Sequence, residues 1–244
     1  MKVIVFGGNG YVGTHIIKSL ISLSSSLSIP LNEIVSISRS GLPINKSMII
    51  SNDKINIKYH KADIFDYDKW KDIAIKSDAF VSTIGAFGSN EWMQKINGDA
   101  NIFACSKGLK LNVSRFVYIS TVDNNLPNFI LKGYFQGKQR AEHAIQDAYP
   151  DNGFILKPGF IYGNRYISET TAIPLHLIGK PMDYILNISP FNKLKTLPYL
   201  RAIFERPISV ECVGKVAAAA ALGKIESKNK YLKVEDIVLE SKRF

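Results

Sequence analysis

Residues 3–16 read VIVFGGNGYVGTHI: an apolar run, then glycines at 7, 8, 10 and 13, then the start of an amphipathic stretch. The apolar run has the make-up of a buried strand, and residues 11–25 carry apolar side chains at helical spacing. Gly7, Gly10 and Gly13 spell GxxGxxG, and Gly8, Gly10 and Gly13 also spell GxGxxG. In a strand–turn–helix of this kind the first glycine allows a tight turn, and the second lets the chain approach a diphosphate. The third lets helix and strand pack closely. The helix start then offers unpaired N–H groups and the positive end of its dipole to an anion. Asn9 is small and polar, so it fits beside phosphates and can bond backbone groups of the loop. At a strand–helix junction the motif points to dinucleotide binding.

Working outward, KVIVFG (2–7), EIVSIS (33–38), INIKYH (55–60), AFVSTIG (79–85), RFVYIS (115–120) and FILKPG (154–159) read as strands. Residues 11–25, 66–76, 91–110 and 129–149 read as helices, with another at 210–222 and a last strand at 231–239. Strands that are apolar almost throughout, alternating with helices, specify an α/β fold. We expect a Rossmann-type, doubly wound parallel sheet with helices on both faces. Residues 161–209 are rich in Pro, Leu, Ile and Lys without strand alternation. They are expected to form a small helical, substrate-side lid within a single domain spanning 1–244.

A carboxylate some 20 residues past such a turn holds the adenosine ribose. Glu33 falls near that count but begins the second strand, because SLSSSLSIPLN lengthens the connection. The position that faces the ribose is that strand's carboxyl end, where Ser38, Arg39, Ser40 and Gly41 stand and no carboxylate does. An arginine grips a 2′-phosphate that a carboxylate would repel, so the expected cofactor is NADP(H). Asp63 and Ile64, just after the third strand, suit the adenine, although Asp63 could equally be a helix cap.

GYFQGKQRAEHAI places Tyr134 and Lys138 four apart on one helical face. A phenol with an ordinary pKa near 10 exchanges protons poorly at neutral pH unless a nearby cation stabilises its phenolate. Ser120, ending RFVYIS, offers a hydroxyl that could hold a substrate carbonyl.

GGNGYVG, STIGAFG, KINGDANIFACSKG, RFVYIST, YFQGK and LKPGFIYG together resemble the atypical short-chain dehydrogenase/reductases over nearly the whole chain. VSISRSG and the tail IPLHLIGKPMDYIL…LPYLRAIFERPISVECVGKVAAAAALG are similar to one branch of them. That branch holds mitochondrial NAD(P)-binding accessory proteins of ubiquinone biosynthesis and their plastid, plastoglobule-associated relatives. The dehydrogenase-like accessory subunit of respiratory complex I is a neighbour. The resemblance implies catalytic roles for Ser120, Tyr134 and Lys138. It also implies cofactor contacts from Tyr11, Val12, Thr83, Ile84, Gly85, Tyr134, Lys138 and Pro158, besides those read above. A quinone-type or other small-molecule substrate, and a site peripheral to the mitochondrial inner membrane or in a plastid, are its further implications. A quinone-pathway or respiratory assembly is the partner it implies. TIGAFG departs from the Asn-Asn-Ala-Gly of the classical enzymes, leaving Asn97 as the candidate structural asparagine. The alternative is a subunit that holds its nucleotide without catalysis.

The net charge of +10 favours anionic partners, or else reflects a lysine-rich composition. Lys180, Lys193, Lys195, Arg201 and Arg206 are interleaved with apolar residues, a mixture suited to an anionic bilayer surface or to a lid. No Lys/Arg stripe with stacking aromatics is present, so nucleic acid is not an expected partner. Cys105 and Cys212 lie far apart and outside any CxxC or Cys/His cluster, which argues against a disulfide framework or a metal site. No apolar run approaches the roughly 20 residues that span a bilayer. With the first strand starting at Lys2, no targeting segment is expected in this chain.

Overall fold

The computed structural model describes residues 1–122, 131–166, 168–175, 206–227 and 229–244. Strands β1 (Lys2–Phe6), β2 (Glu33–Ser38), β3 (Asn56–Lys61), β4 (Ala79–Ser82), β5 (Arg115–Ile119), β6 (Gly153–Leu156) and β11 (Tyr231–Leu232) form one sheet. Their order is β11-β6-β5-β4-β1-β2-β3, and every pairing is parallel. The chain runs outward from β1 in one direction and then from β4 in the other. The order therefore reverses between β1 and β4, and ligands of such sheets bind at the carboxyl ends beside that reversal.

Alternate residues of the inner strands feed two cores, while β3 at the edge stays largely exposed or half-buried. Val3 and Val5, with Val81, Val117 and Leu156, pack under α1 (Tyr11–Ser26) and α6 (Val210–Ala221). Ile4 and Phe6, with Val35, Phe80, Phe116 and Ile155, meet Trp70, Ala104 of α4 (Ala100–Lys110) and Ile145 of α5 (Lys132–Ala148). Burial on both faces is why these strands read as unbroken apolar runs. The alanine-rich α6 lies against α1, where Gly214 brings its backbone to the His15 carbonyl.

Three expectations change. Residues 67–76 form only a 3₁₀ turn (Tyr67–Lys69) and the four-residue α2 (Lys71–Ala74). The last strand stops at Leu232 and α7 (Val234–Ser241) follows, because the Asp236 carboxylate caps it by accepting from the Lys233 amide at 3.0 Å. Its buried Val234, Ile237 and Ser241 are spaced for a helix. Within the expected helical lid, 161–175 instead carries short strands: β7 (Ile161–Tyr162), β8 (Asn164–Tyr166) and β9 (Ala172–Pro174). β10 (Ile208–Ser209) pairs with β7, and 176–205 lies outside the described residues.

The glycines of the first turn have distinct surroundings. Gly7 holds φ at +76°, a left-handed conformation that side chains disfavour. A Cβ on Gly13 would stand 2.3 Å from the Gly7 carbonyl oxygen and 2.6 Å from the Gly8 Cα. A Cβ on Gly10, the cap residue of α1, would meet only the Gly7 oxygen at 3.2 Å and otherwise enter open space. Gly13→Ala should therefore lose about 1–3 kcal/mol of stability through overpacking, read from the urea midpoint. Gly10→Ser keeps a favoured helix cap and should leave that midpoint nearly unchanged.

Candidate functional site

A cavity of about 760 Å³ opens at the carboxyl ends of β1, β2 and β4, within the roughly 300–1,000 Å³ of small-molecule pockets. Gly7, Asn9, Gly10, Tyr11 and Val12 line it from the glycine turn, and Ser38, Arg39 and Ser40 from the end of β2. Asp63 and Ile64 after β3, Thr83, Ile84 and Gly85 after β4, and Arg165 of β8 complete most of its wall. Gly13 is packed behind the turn, while Ser120, Tyr134, Lys138 and Pro158 lie outside this lining.

Local bonds hold the wall in shape. The Gly7 amide donates to Ile37 O at 2.8 Å, and the Thr83 hydroxyl reaches Phe6 O at 3.0 Å and Gly7 O at 3.1 Å. These join β2, β1 and β4 at the turn. The Asn9 amide donates to the Ser40 hydroxyl and to Leu42 O, tying the glycine turn to the segment after β2. Ser38 closes its own tight turn by accepting from the Gly41 amide at 3.1 Å. Arg39 is exposed and, among the described residues, in no ion pair. Asp63 accepts from the Phe65 amide at 2.9 Å, the local bond of a turn or cap.

The second group of residues gathers around α5. Gly137 lies between Tyr134 and Lys138, and its bare backbone packs on Gly98, where a Cβ would stand 3.0 Å from the Gly98 nitrogen. Gly98 belongs to a π-helical turn (Lys95–Asp99) between α3 (Asn90–Gln94) and α4. Asn97 of that turn is fully buried. Its amide donates to Ala86 O and Met93 O, both at 2.8 Å, and its oxygen accepts from the Ala86 amide at 3.2 Å. Asn97 thus fixes the loop after β4. A Cβ on Gly85 would lie 3.6 Å from Lys138 Nζ, so this loop brings the cavity wall against the lysine.

Lys138 is buried and donates to Ile119 O at 2.8 Å, with its ammonium 4.7 Å from the Tyr118 ring centre. Burial brings its pKa down to about 7, with Glu142 pulling the other way. The Tyr134 ring stacks on Phe87 at 5.0 Å. Burial raises its pKa, and a hydrogen bond with the Thr121 side chain partly offsets that. Lys138 does not figure among the influences on the phenol.

Ser120 is turned elsewhere. Its hydroxyl donates to Glu142 Oε1, and Lys157 pairs with Glu142 Oε2 at 3.0 Å, all three residues being buried. The hydroxyl beside Tyr134 is that of Thr121, which the sequence reading passed over. The signal was the doublet Ser120-Thr121, since consecutive strand residues face opposite sides. Glu142 was also readable, because it extends the Tyr134–Lys138 spacing by one more helical step. Among the described residues no group of His, Cys, Asp or Glu could hold a metal ion, and no helix is long and apolar enough to cross a membrane.

Residues 4–155 match the 3-beta hydroxysteroid dehydrogenase/isomerase family. The chain belongs to that family. An uncharacterized chloroplastic protein of Arabidopsis thaliana is 38% identical over 213 residues, covering 86% of this chain and 68% of that one. The mitochondrial protein fmp-52 of Neurospora crassa is 26% identical over 173 residues, covering 66% and 65%. Among solved structures, a UDP-N-acetylglucosamine 4-epimerase from Methanobrevibacter ruminantium superposes with a TM-score of 0.64 at 18% identity, over 96% of this chain and 76% of that one. The Bordetella bronchiseptica enzyme WbmH, solved with NAD+, gives 0.58 at 17% identity, over 91% and 72%. These structures share the Rossmann-type parallel sheet with flanking helices.

Lys138 also gives the folded state a dependence on pH. Its depressed pKa means that the native state binds fewer protons than the unfolded chain between pH 7 and its ordinary 10.5. Stability from this residue therefore rises across that window. The urea midpoint of the parent protein should climb relative to that of Lys138→Met as the pH is raised from 7 towards 10.5. Parallel curves for the two proteins would mean that the ammonium is not desolvated.

Proposed function

We propose that the protein is an NADP(H)-dependent oxidoreductase acting on a carbonyl or quinone-type group. The observation that carries the cofactor choice is the end of β2, where Arg39 is in no ion pair among the described residues and no carboxylate stands. The cavity suits a dinucleotide, since Gly10, whose Cβ position meets only the Gly7 oxygen, caps the helix start that faces it. The diphosphate would lie at the start of α1, the 2′-phosphate at Arg39, the adenine beside Ile64 and the nicotinamide towards Gly85. When bound, the nicotinamide supplies two-electron redox chemistry. Both relatives described above carry organelle names, mitochondrial or chloroplastic, which supports an organellar setting.

The chain's own residues position the substrate and handle the proton. Thr121 and Tyr134 present two hydroxyls to one oxygen of the substrate, and Tyr134 gives or takes the proton at that oxygen. Lys138, held by Ile119 O with its nitrogen 5.8 Å from the Tyr134 ring centre, borders the same site and would reach a bound ligand rather than tune the phenol. Phe87 covers one face of the Tyr134 ring and leaves much of itself exposed, a wall suited to a flat apolar substrate. A second reading is favoured by the raised pKa of Tyr134: a nucleotide-holding subunit in which the phenol stays protonated.

Arg39→Ala should weaken NADPH roughly tenfold and leave NADH nearly unchanged, as expected for one charge-assisted contact at an exposed site. Titration of intrinsic nucleotide fluorescence checks this, and equal losses would overturn the NADP reading. Tyr134→Phe should retain NADPH affinity while NADPH-dependent reduction of a short-chain benzoquinone falls roughly 10²–10⁴-fold. Equal, measurable rates in parent and variant would remove Tyr134 as the proton carrier. Tight NADPH binding with no turnover in either protein would favour the subunit reading.

A further inference from the structure

Arg165 comes from the other half of the chain yet lines the same cavity as Arg39. It is carried there by the hairpin β8–β9, in which Arg165 pairs with Ile173. Gly163, just before the hairpin, is pressed onto the glycine turn's helix. Its φ is +154°, and a Cβ there would stand 2.6 Å from the Tyr11 hydroxyl. Beyond it the strand alternates. Asn164 and Tyr166 line a small groove with Asn9, Thr14 and Asn45, while Arg165 faces the main cavity. Past β8, Glu169 pairs with Lys46 at 3.5 Å, on the connection between β2 and β3. The hairpin therefore lies across the cleft, touching the glycine turn on one side and the segment after β2 on the other.

We propose that Arg165 is the cation that grips the diphosphate of the bound dinucleotide from above, opposite the start of α1. This rests on the dinucleotide reading given above. Among the described residues Arg165 has no carboxylate partner. Its planar fork matches a pair of phosphate oxygens. Beside it, the Tyr11 hydroxyl is buried against Gly163 and, among the described residues, has no hydrogen-bond partner. The first turn of α1 carries no acidic residue and no side-chain cap, so its amides also await an acceptor. The two arginines thus divide the ligand. Arg39, at the end of β2, distinguishes NADP from NAD, while Arg165, next to Tyr11, takes the part that both nucleotides share.

The test compares parent, Arg165→Ala, Arg165→Lys and Arg39→Ala by titration with NADPH and with NADH at two salt concentrations. Arg165 is an exposed hairpin residue, so its variants should keep the parent's urea midpoint, which serves as the folding control. Arg165→Ala should weaken NADPH and NADH by the same factor, roughly tenfold or more. Its loss of affinity on adding salt should be smaller than the parent's. Arg165→Lys should fall between the two, keeping the charge but losing the fork. Unchanged affinity for both nucleotides in Arg165→Ala, or a loss confined to NADPH, would overturn the assignment. Failure of the parent itself to bind either nucleotide would overturn the dinucleotide reading, and this assignment with it.

Discussion

Backbone meets backbone, with no side chain between, at the two places that organise the carboxyl edge of this sheet. At Gly13 the helix α1 lies so near the turn that a methyl group would overlap the Gly7 carbonyl. At Gly137 the helix α5 rests on Gly98 of the π-helical turn. The first contact sets the start of α1 beneath the cavity. The second draws α5 inward until Lys138 borders Gly85. Without both, the glycine-turn end of the cavity and the Tyr134–Lys138 pair would be separate features of the surface. A side chain at either place would separate elements that a rigid core otherwise holds in register, since close-packed interiors transmit such shifts.

Around α5 the chain buries charge, which packing alone does not require. Glu142, Lys157 and Lys138 are each at most 5% exposed. Removing ions from water costs several kcal/mol each in real proteins, and pairing recovers that only with good geometry. The Glu142 carboxylate has such geometry: one oxygen holds Ser120 at the end of β5 and the other holds Lys157 beyond β6. The gain is directional. With Ser120 anchored to one side, strand alternation places Thr121 on the other, beside Tyr134. Lys138 has no such carboxylate bond and donates a hydrogen bond to the Ile119 carbonyl, which supplies no full charge. Its burial is what depresses its pKa, against the opposing pull of Glu142.

The parallel α/β sheet was legible because most of its strands are buried on both faces and alternate with helices, although β3 keeps exposed residues along its length. Such a pattern admits few topologies. The glycine turn was legible for the same local reason: its residues do their work within a dozen positions of one another. Ser120 and Thr121 were not separable, because both are small hydroxyl residues at a strand end and a one-residue shift exchanges the faces. The deciding partner, Glu142, is 22 residues away and on another element. YLKVEDIVL (231–239) read as a strand, yet the Asp236 cap and the burial of Val234 and Ile237 make a helix after two residues. Arg165 was beyond reach from the sequence, because its place over the first turn depends on a hairpin folding back across most of the chain.

The fold itself is shared with enzymes that act on sugar nucleotides, so it selects no reaction. The charge placed around the cavity bears more directly on the ligand. The start of α1 has neither an acidic residue nor a side-chain cap, and Arg39 and Arg165, in no ion pair among the described residues, face the same space. Asp63 is the carboxylate in the lining, and it is already engaged with the Phe65 amide. An arrangement with unspent donors and like charges gathered in one cleft is one the folded chain tolerates rather than prefers. An anion entering it relieves the repulsion and fills the donors together. The same event adds to the stability of the fold by mass action, in proportion to how far the ligand exceeds its dissociation constant. Binding of such an anion would couple to folding at the turn where the sequence concentrates its glycine.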